Sequence, residues 1–426
     1  NRFDHIKKKI LISSSYLNIF KDYLFFISSF FLISILNKNK NKNKKYDLII
    51  EDIEDINQIE RFKKLYSRFE KILVVYKYSK FNDLDKIKKY TFDKINSRYI
   101  IPDNSFTKGR FFKSIKFINN ILLLSLKEKT NFVFFFRIIF FSFIKNNSLY
   151  KKNTAKFLIQ DRIYATCPIR NYLFKKHGGK FTACTQLHLA EAGLSLYTDI
   201  DILFLLGNEN DTKKKVEILG GNVGKTFVIG SHKMESNFFS EKIKKISFAK
   251  IDLLIIGINL NHWIYNSERV FNGYYKYLEW IKKFSIENPN LNIVYKHHSN
   301  FIKDEKENQI LNNTNIKMVI KSPTGENSYD YLDNSKMIVS FGSTMILEGR
   351  SMNRNCFFLD PDSSATTFYK HLGYLNNIIL NTYQDFEAVS KKVINDETLT
   401  RKIDSNSICI KSNNVSNKIY EHFSIL

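Results

Sequence analysis

The chain has 426 residues, 43% of them hydrophobic and 25% charged, which is typical of a globular protein of two or three domains and excludes wholesale disorder and a polytopic membrane protein. Its 66 Lys and Arg residues exceed its 42 Asp and Glu residues, so the formal charge is +24. Four cysteines without C-x-x-C spacing form neither a disulfide framework nor a zinc knuckle, and they favour a reducing, cytoplasmic compartment.

The positive charge is concentrated in the first half of the chain. Residues 1–200 hold 38 Lys and Arg against 17 Asp and Glu, whereas residues 201–426 hold 28 against 25. Abundant Lys, Asn, Ile and Phe indicate an AT-rich coding sequence. That bias alone would not confine the excess of basic residues to one half of the chain. The asymmetry predicts an anionic partner, which leaves membrane lipid, nucleic acid and an acidic glycan open.

Two runs in this half are rich in phenylalanine: residues 23–36 (YLFFISSFFLISIL) and 131–145 (NFVFFFRIIFFSFIK). The first is shorter than the about 20 residues that span a bilayer, and it lacks a small-residue cleavage site. Buried helix or strand is the simplest interpretation of both, and contact with an anionic membrane surface is the alternative. The first residue is Asn1 rather than Met, as expected of a processed chain or a fragment.

From residue 46 onward, short apolar runs alternate with helical stretches. YDLII (46–50) and KILVVYK (71–77) read as strands, and KFLIQDRIYATCP, KFTACTQLH and DIDILFLLG follow at similar intervals. Strands separated by helices predict a parallel sheet. We expect an apolar and basic N-terminal extension, two α/β domains and a C-terminal tail, bounded at residues 1–45, 46–235, 250–410 and 411–426.

The second half is more regular. Strands are predicted at 251–259, in LNIVYKHHSN, at 316–322, in KMIVSFGST and in NCFFLDP, and helices at 266–289, 328–335 and in MILEGRSMN. The order β-α-β-β-α-β-α-β resembles a nucleotide-binding half of an open α/β sheet. The predicted fold class is therefore α/β, with two Rossmann-like domains facing a cleft.

A small turn at the end of a predicted strand is the strongest candidate site. Gly342, Ser343 and Thr344 precede a helix, where backbone N–H groups and two hydroxyls are suited to a phosphate. Glu348 lies on the same side of that helix, one turn on, and is suited to the hydroxyls of a ribose. The alternative is that Ser343 only caps the helix.

A second candidate, Lys296-His297-His298, follows the strand LNIVY. Cationic groups at the end of a strand can neutralise a departing phosphate. Zinc binding is not indicated, because neither Cys nor a carboxylate lies at ligand spacing nearby.

Together these motifs resemble the C-terminal domain of GT-B glycosyltransferases that build bacterial capsules and lipopolysaccharide, of the polysialyltransferase-like or Kdo-transferase-like type. That family has Lys-x-His-Pro at one strand end, a Ser-Tyr-Asp-x-Leu helix, and a Ser-Ser or Ser-Thr pair before a later helix. Here these are KHHSN, with Ser299 in place of Pro, SYDYLDNSK and FGSTMILEG. The resemblance implies that His298, Ser343 and Thr344 bind the donor's phosphate and Glu348 its ribose. A Glu-x7-Glu pattern is absent, which favours inverting chemistry.

The first half resembles the acceptor domain of these enzymes in the stretch DRIYATCPIRNYLFKKHGGKFTACTQLHLAEAG. An inverting transferase needs a base that takes the proton of the acceptor hydroxyl. The candidates are His188 and Glu191, with the acidic cluster at 51–55 as an alternative. The simpler interpretation of the segment with His188 and Glu191 is an ordinary helix face. That of the acidic cluster is a solvent-exposed helix start.

The sequence thus predicts a cytoplasmic glycosyltransferase, peripheral at the inner membrane, that needs no metal or cofactor and uses a nucleotide-sugar, CMP- or UDP-linked. The acceptor would be a surface polysaccharide or lipid-linked glycan. A sugar-nucleotide 2-epimerase of the same architecture, or a binding protein for a nucleotide or anionic polymer, is the alternative. RNA is disfavoured, because RNP-like strands and a GXXG clamp are missing.

Overall fold

The protein is described by a computed structural model. The described residues are 16–35, 43–53, 56–76, 91–97, 100, 108–160, 166–186, 198–207, 211–232, 234–235, 250–258, 268–298, 304–320, 328–363, 377–396, 409–410, 412 and 414–426.

The first sheet has seven parallel strands in the order β3-β2-β1-β4-β5-β6-β7. Its strands are β1 (Lys44–Ile53), β2 (Ile72–Tyr76), β3 (Asp93–Asn96), β4 (Asn153–Gln160), β5 (Phe181–Thr185), β6 (Asp199–Leu205) and β7 (Asn222–Val228). The helices of this half are α1 (Tyr16–Ile35), α2 (Ile56–Arg61), α3 (Lys63–Tyr66), α4 (Lys108–Lys127), α5 (Phe132–Lys152), α6 (Pro168–Lys176) and α7 (Asp211–Ile218).

The second sheet has six parallel strands in the order β10-β9-β8-β11-β12-β13. Its strands are β8 (Ile251–Ile256), β9 (Ile293–Lys296), β10 (Lys317–Val319), β11 (Ser335–Ser340), β12 (Asn355–Leu359) and β13 (Ile379–Leu380). The helices of this half are α8 (Glu268–Glu287), α9 (Glu305–Leu311), α10 (Ser328–Asp333), α11 (Met345–Ser351), α12 (Tyr383–Asn395) and α13 (Val415–Ser424).

The predicted α/β class with two parallel sheets is confirmed, and one helix differs from the prediction. Helix α9 separates β9 from β10, where the sequence suggested two strands in direct succession. The helix is short and acidic, so it lacks an apolar stripe, and its start is set by Asp304, whose side chain accepts from the Glu307 N–H. Two consecutive strands that pair in parallel must be joined by a crossover connection, and α9 is part of that connection between β9 and β10.

The central strands form because their residues are β-branched or apolar on both faces. In β8 (IDLLII) and β12 (NCFFL) almost every residue is buried. Continuous apolar runs of this kind are expected where helices cover both faces of a parallel sheet. The second half forms one large apolar core, while in the first half separate clusters pack on the sheet.

Helices α1, α4 and α5 pack together, in what we call the three-helix unit. Its core contains the buried side chains of Ile19, Phe26, Phe30, Ile118, Ile121 and Val133. The apolar N-terminal segment is thus a helix that packs against residues 108–152.

The C-terminal segment returns to the first half. Helix α13 lies in the segment expected to be a tail, yet Val415, Ile419 and Phe423 belong to a core cluster of the first sheet. The Phe423 ring stacks on Phe157 of β4, with centroids 4.2 Å apart. The last helix is therefore an integral part of the first domain.

Replacing Phe423 by Ala should destabilise the first domain by about 3–5 kcal/mol, because the buried ring would leave a cavity against β4. Urea unfolding followed by circular dichroism measures the change. Tyr420→Ala, on the more exposed side of the same helix, is the matched control and should cost much less. Equal stability of the Phe423 variant and the parent would contradict the packing of α13.

Candidate functional site

The candidate site lies where the order of the second sheet reverses. Strands β8 and β11 are neighbours, and the chain proceeds to opposite edges of the sheet from them. A crevice opens at such a point beyond the carboxyl ends of the strands, and ligands of open α/β sheets bind there. The turn Gly342–Ser343–Thr344 directly follows β11 and occupies this position.

Ser340 holds this turn in place. Its hydroxyl donates to the Ile256 carbonyl of β8 at 2.8 Å and accepts from the N–H groups of Gly342 and Ser343 at 3.4 and 3.2 Å. The Ser343 hydroxyl accepts from the Met345 N–H at 3.3 Å. Ser343 therefore satisfies the N–H of the first residue of helix α11, whose N-cap position is held by Thr344 without a side-chain capping bond. All three residues of the turn are half-exposed.

Glu348 is buried and joins the two halves of the molecule. Its carboxylate accepts from the Ser231 hydroxyl at 2.8 Å and from the Tyr329 hydroxyl at 2.7 Å. Burial and this carboxylate raise the pKa of Tyr329 well above its usual value. Ser231 follows β7 and Glu348 lies in the helix that follows β11, so the segments beyond the carboxyl ends of these two strands contact each other.

The two adjacent histidines after β9 have different surroundings. His297 is buried, and its Nδ1 lies 3.3 Å from Oε1 of Glu307, whose other oxygen accepts from the Tyr274 hydroxyl at 2.7 Å. Burial, assisted by the charge of Lys296, lowers the pKa of His297 to about 4. His298 is exposed. The structure thus gives His297 a place in the core and leaves His298 on the surface at the carboxyl end of β9.

Lys296, at the end of β9, is also buried. Its Nζ lies 5.9 Å from the centroid of the Tyr331 ring, over which it forms a cation–π contact. Its charge thus lies close to helix α10, one strand away from the Gly342–Ser343–Thr344 turn.

The corresponding point of the first sheet holds a second buried carboxylate. Glu51, in β1, accepts from the Tyr150 hydroxyl, from Arg170 Nη1 at 3.2 Å and from Gln160 Nε2 at 3.4 Å. These donors neutralise the one residue of the acidic cluster at 51–55 whose side chain the structure describes. Glu51 therefore anchors β1 to α5 and α6.

The two base candidates, His188 and Glu191, lie outside the described residues. In the part of the chain that is described, no group of three or more His, Cys, Asp or Glu side chains could hold a metal ion. The assignments of the general base and of the donor-binding side chains therefore stay predictions.

His232 was missed by sequence reasoning. It lies one residue beyond Ser231, is buried, and packs on the Phe62 ring with centroids 5.0 Å apart. Neither ring nitrogen has a hydrogen-bond partner among the described residues. Burial, with a contribution from Arg61, lowers its pKa to about 3. Its position beside the Ser231–Glu348 contact depends on tertiary packing, which a lone histidine in GSHK does not signal.

The comparisons with known structures agree with this architecture. The Staphylococcus aureus MnaA–UDP structure matches at TM-score 0.51 and 14% identity, over 89% of this chain and 96% of that one. The UDP-GlcNAc 2-epimerase of Neisseria meningitidis bound to UDP-GlcNAc matches at 0.51 and 12%, over 89% and 100%. The glycotransferase of kitacinnamycin matches at 0.51 and 8%, over 90% and 99%.

The chain has the GT-B fold. No family model and no curated protein sequence matches it. At identities this low the likeness shows the fold, and that fold is shared by sugar-transferring and sugar-epimerising enzymes.

Replacing His232 by Gln should make the protein less sensitive to acid. A histidine whose pKa is depressed in the folded state stabilises the fold above the ordinary value of about 6.5, and that stability is lost as the pH falls toward 3. The parent should lose about 2 kcal/mol through this residue between pH 8 and pH 5. Urea unfolding at both pH values measures the difference.

The matched control is His177→Gln, at a histidine that is only partly buried and is bonded to Asn147. This variant should keep most of the parent's pH dependence. Identical pH dependence of the His232 variant and the parent would contradict the burial of a neutral ring at this position.

Proposed function

We propose that the protein is a glycosyltransferase that moves a sugar from a nucleotide-activated donor to a glycan acceptor, without a metal or cofactor and with inversion. The observation that carries the proposal is the Ser231–Glu348 contact beside a half-exposed Gly-Ser-Thr turn. This contact brings the segment after β7 against the helix that follows β11, and ligands of open α/β sheets generally bind beyond the carboxyl ends of such strands. Solved proteins of similar fold are described as bound to UDP or UDP-GlcNAc.

The donor would lie against the second domain. Its phosphate would accept from the Thr344 amide and from the hydroxyls of Ser343 and Thr344. Lys296 and exposed His298 would supply positive charge from the end of β9, which β8 separates from β11. These groups would stabilise the phosphate that leaves with the electrons of the broken glycosidic bond. Glu348 would bind the hydroxyls of the ribose. To do so, its carboxylate would exchange or share the hydrogen bonds that it now accepts from Ser231 and Tyr329.

The acceptor would lie against the first domain. A base, His188 or Glu191, would take the proton of the acceptor hydroxyl as its oxygen bonds to the anomeric carbon. Because the first half is strongly basic, a surface polysaccharide of capsule or lipopolysaccharide type, or a lipid-linked glycan, is the acceptor class that suits it best. We place the enzyme in the cytoplasm, at the inner membrane.

A sugar-nucleotide 2-epimerase is the second candidate, because two of the similar folds belong to UDP-GlcNAc 2-epimerase and to MnaA bound to UDP. Product analysis separates the two functions. An epimerase converts the sugar nucleotide with no acceptor present, whereas a transferase releases the nucleotide only as the acceptor is glycosylated.

The double variant Ser343→Ala, Thr344→Ala should lose at least about a hundredfold in donor turnover, since donors aimed at developing charge contribute on the order of 10²–10³ each. Release of the nucleotide in the presence of acceptor glycan measures turnover. Thr314→Ala, which precedes β10 at the opposite edge of the second sheet, is the matched control and should leave turnover unchanged. Full activity in the double variant would remove this mechanism.

One of CMP, CDP, UDP and GDP should raise the melting temperature by several degrees. A nucleotide at a hundred times its Kd adds about 2.7 kcal/mol to the stability of the state that binds it. Differential scanning fluorimetry with each nucleotide in turn identifies the donor class, and the Ser343, Thr344 double variant should respond weakly. If none of the four acts on the folded parent, the nucleotide site is not where we place it.

A further inference from the structure

The three-helix unit exposes an unusual amount of apolar surface. Of the 21 large apolar side chains that are exposed among the described residues, 14 lie on α1, α4 and α5. Exposed apolar residues scattered singly are ordinary, but a concentration on one unit marks an interaction surface. The 14 residues are Tyr16, Leu17, Phe20, Leu24, Phe25, Phe31, Leu32, Phe112, Phe117, Leu123, Leu124, Phe135, Ile138 and Phe143.

Helix α1 is apolar on its outer face as well as on its inner face. Leu17, Leu24 and Leu32 are 64%, 61% and 65% exposed, although the opposite face is buried in the core of the unit. A surface helix in water normally turns polar residues outward. Helix α8, which also has 20 residues, does so: Ile286 is its one large exposed apolar side chain.

The Asp22 carboxylate is neutralised inside the three-helix unit. Asp22 of α1 pairs with Arg137 of α5 at 2.8 Å and accepts from Asn131 at 2.7 Å, and Tyr23 donates to Asn119 of α4 at 2.8 Å. These bonds connect all three helices, so the outer apolar faces are presented by one body.

The charge around the apolar faces has one sign. Residues 16–35 and 108–152 together contain 11 Lys and Arg against only Asp22 and Glu128. Among them, Lys113, Lys116 and Lys127 are exposed on α4. Each basic residue near an anionic lipid surface contributes about 1 kcal/mol of attraction. A second copy of the chain, by contrast, would bring two such positive surfaces together.

Helix α5 continues into the core of the first domain. Leu149 and Tyr150 of its last turns are buried there, and the Tyr150 hydroxyl donates to Glu51. Ile144 and Ser148 are buried too. The part of α5 before Ile144 is therefore shorter than the about 20 residues that cross a bilayer. Among the described residues, two helices are long and apolar enough to span a membrane, α1 and α5. The attachment of α5 to the first domain, however, requires α5 to lie on the membrane surface.

We propose that the three-helix unit is a docking surface for anionic lipid, with its outer apolar side chains at the boundary between headgroups and acyl chains and its lysines on the lipid phosphates. An interfacial position suits helices that combine exposed Phe and Leu with flanking basic residues. Through α5 and the Tyr150–Glu51 bond, the docked unit is continuous with the switch point of the first sheet. The inference is independent of which sugar chemistry the site performs.

The test is flotation of the full chain with vesicles of phosphatidylcholine containing 30% phosphatidylglycerol, and with pure phosphatidylcholine. The parent should float with the anionic vesicles, bind pure phosphatidylcholine more weakly, and be partly released by high salt. The triple variant Leu17→Glu, Leu24→Glu, Leu32→Glu should lose at least tenfold in partitioning. The three replaced side chains are exposed in the parent, so the melting temperature of the triple variant should stay near that of the parent.

The matched controls are Ile218→Glu and Ile286→Glu, at two exposed isoleucines outside the unit, and both should float like the parent. Four outcomes would overturn the proposal. They are no flotation of the parent, equal flotation of the triple variant, a lipid-free dimer that the triple variant abolishes, and resistance of the bound parent to alkaline carbonate, which indicates spanning helices. Since no nucleotide or turnover enters the assay, these outcomes are separate from the fate of the proposed function.

Discussion

A single buried carboxylate, that of Glu348, links the two halves of this molecule. Burying an ionised group is costly unless hydrogen bonds replace the water that it loses, and here Ser231 and Tyr329 each donate one. Because Ser231 belongs to the first half and Tyr329 to the second, the carboxylate is satisfied only when both are in place. This contact fixes the segment after β7 against helix α11, at the place where the two halves meet.

A second buried carboxylate lies nearby, within the first domain. The Glu235 carboxylate, just after Ser231, accepts from the backbone and the hydroxyl of Ser416 at the start of helix α13. Burial raises the pKa of Glu235 despite these bonds. This bond ties the segment at which the chain leaves the first domain to the helix with which it returns to it. His232, which is buried and neutral, lies in the same region. Several buried polar side chains are therefore concentrated where the two halves meet.

Sequence patterns predicted much of the fold because the signals are local. Continuous apolar runs gave β1, β2, β8 and β11 close to their observed positions, and the helix predicted at 266–289 is α8 within two residues at each end. Short elements with weak patterns were harder: α9 is acidic and stabilised by its cap, and β3 (DKIN) pairs with β2 without an apolar run of its own. Their formation depends on neighbours that are distant in the sequence.

The sequence by itself determined the α/β class, the two parallel sheets and the strand ends at which Lys296 and the Gly342–Ser343–Thr344 turn stand, because strand-forming patterns and turn residues act over a few positions. Only the tertiary structure decided which of two adjacent histidines is buried, that Glu348 meets Ser231, and that the last helix completes the first domain. The physical reason is that burial and hydrogen-bond partners are properties of surfaces brought together from distant parts of the chain. No stretch of sequence contains both sides of such a contact.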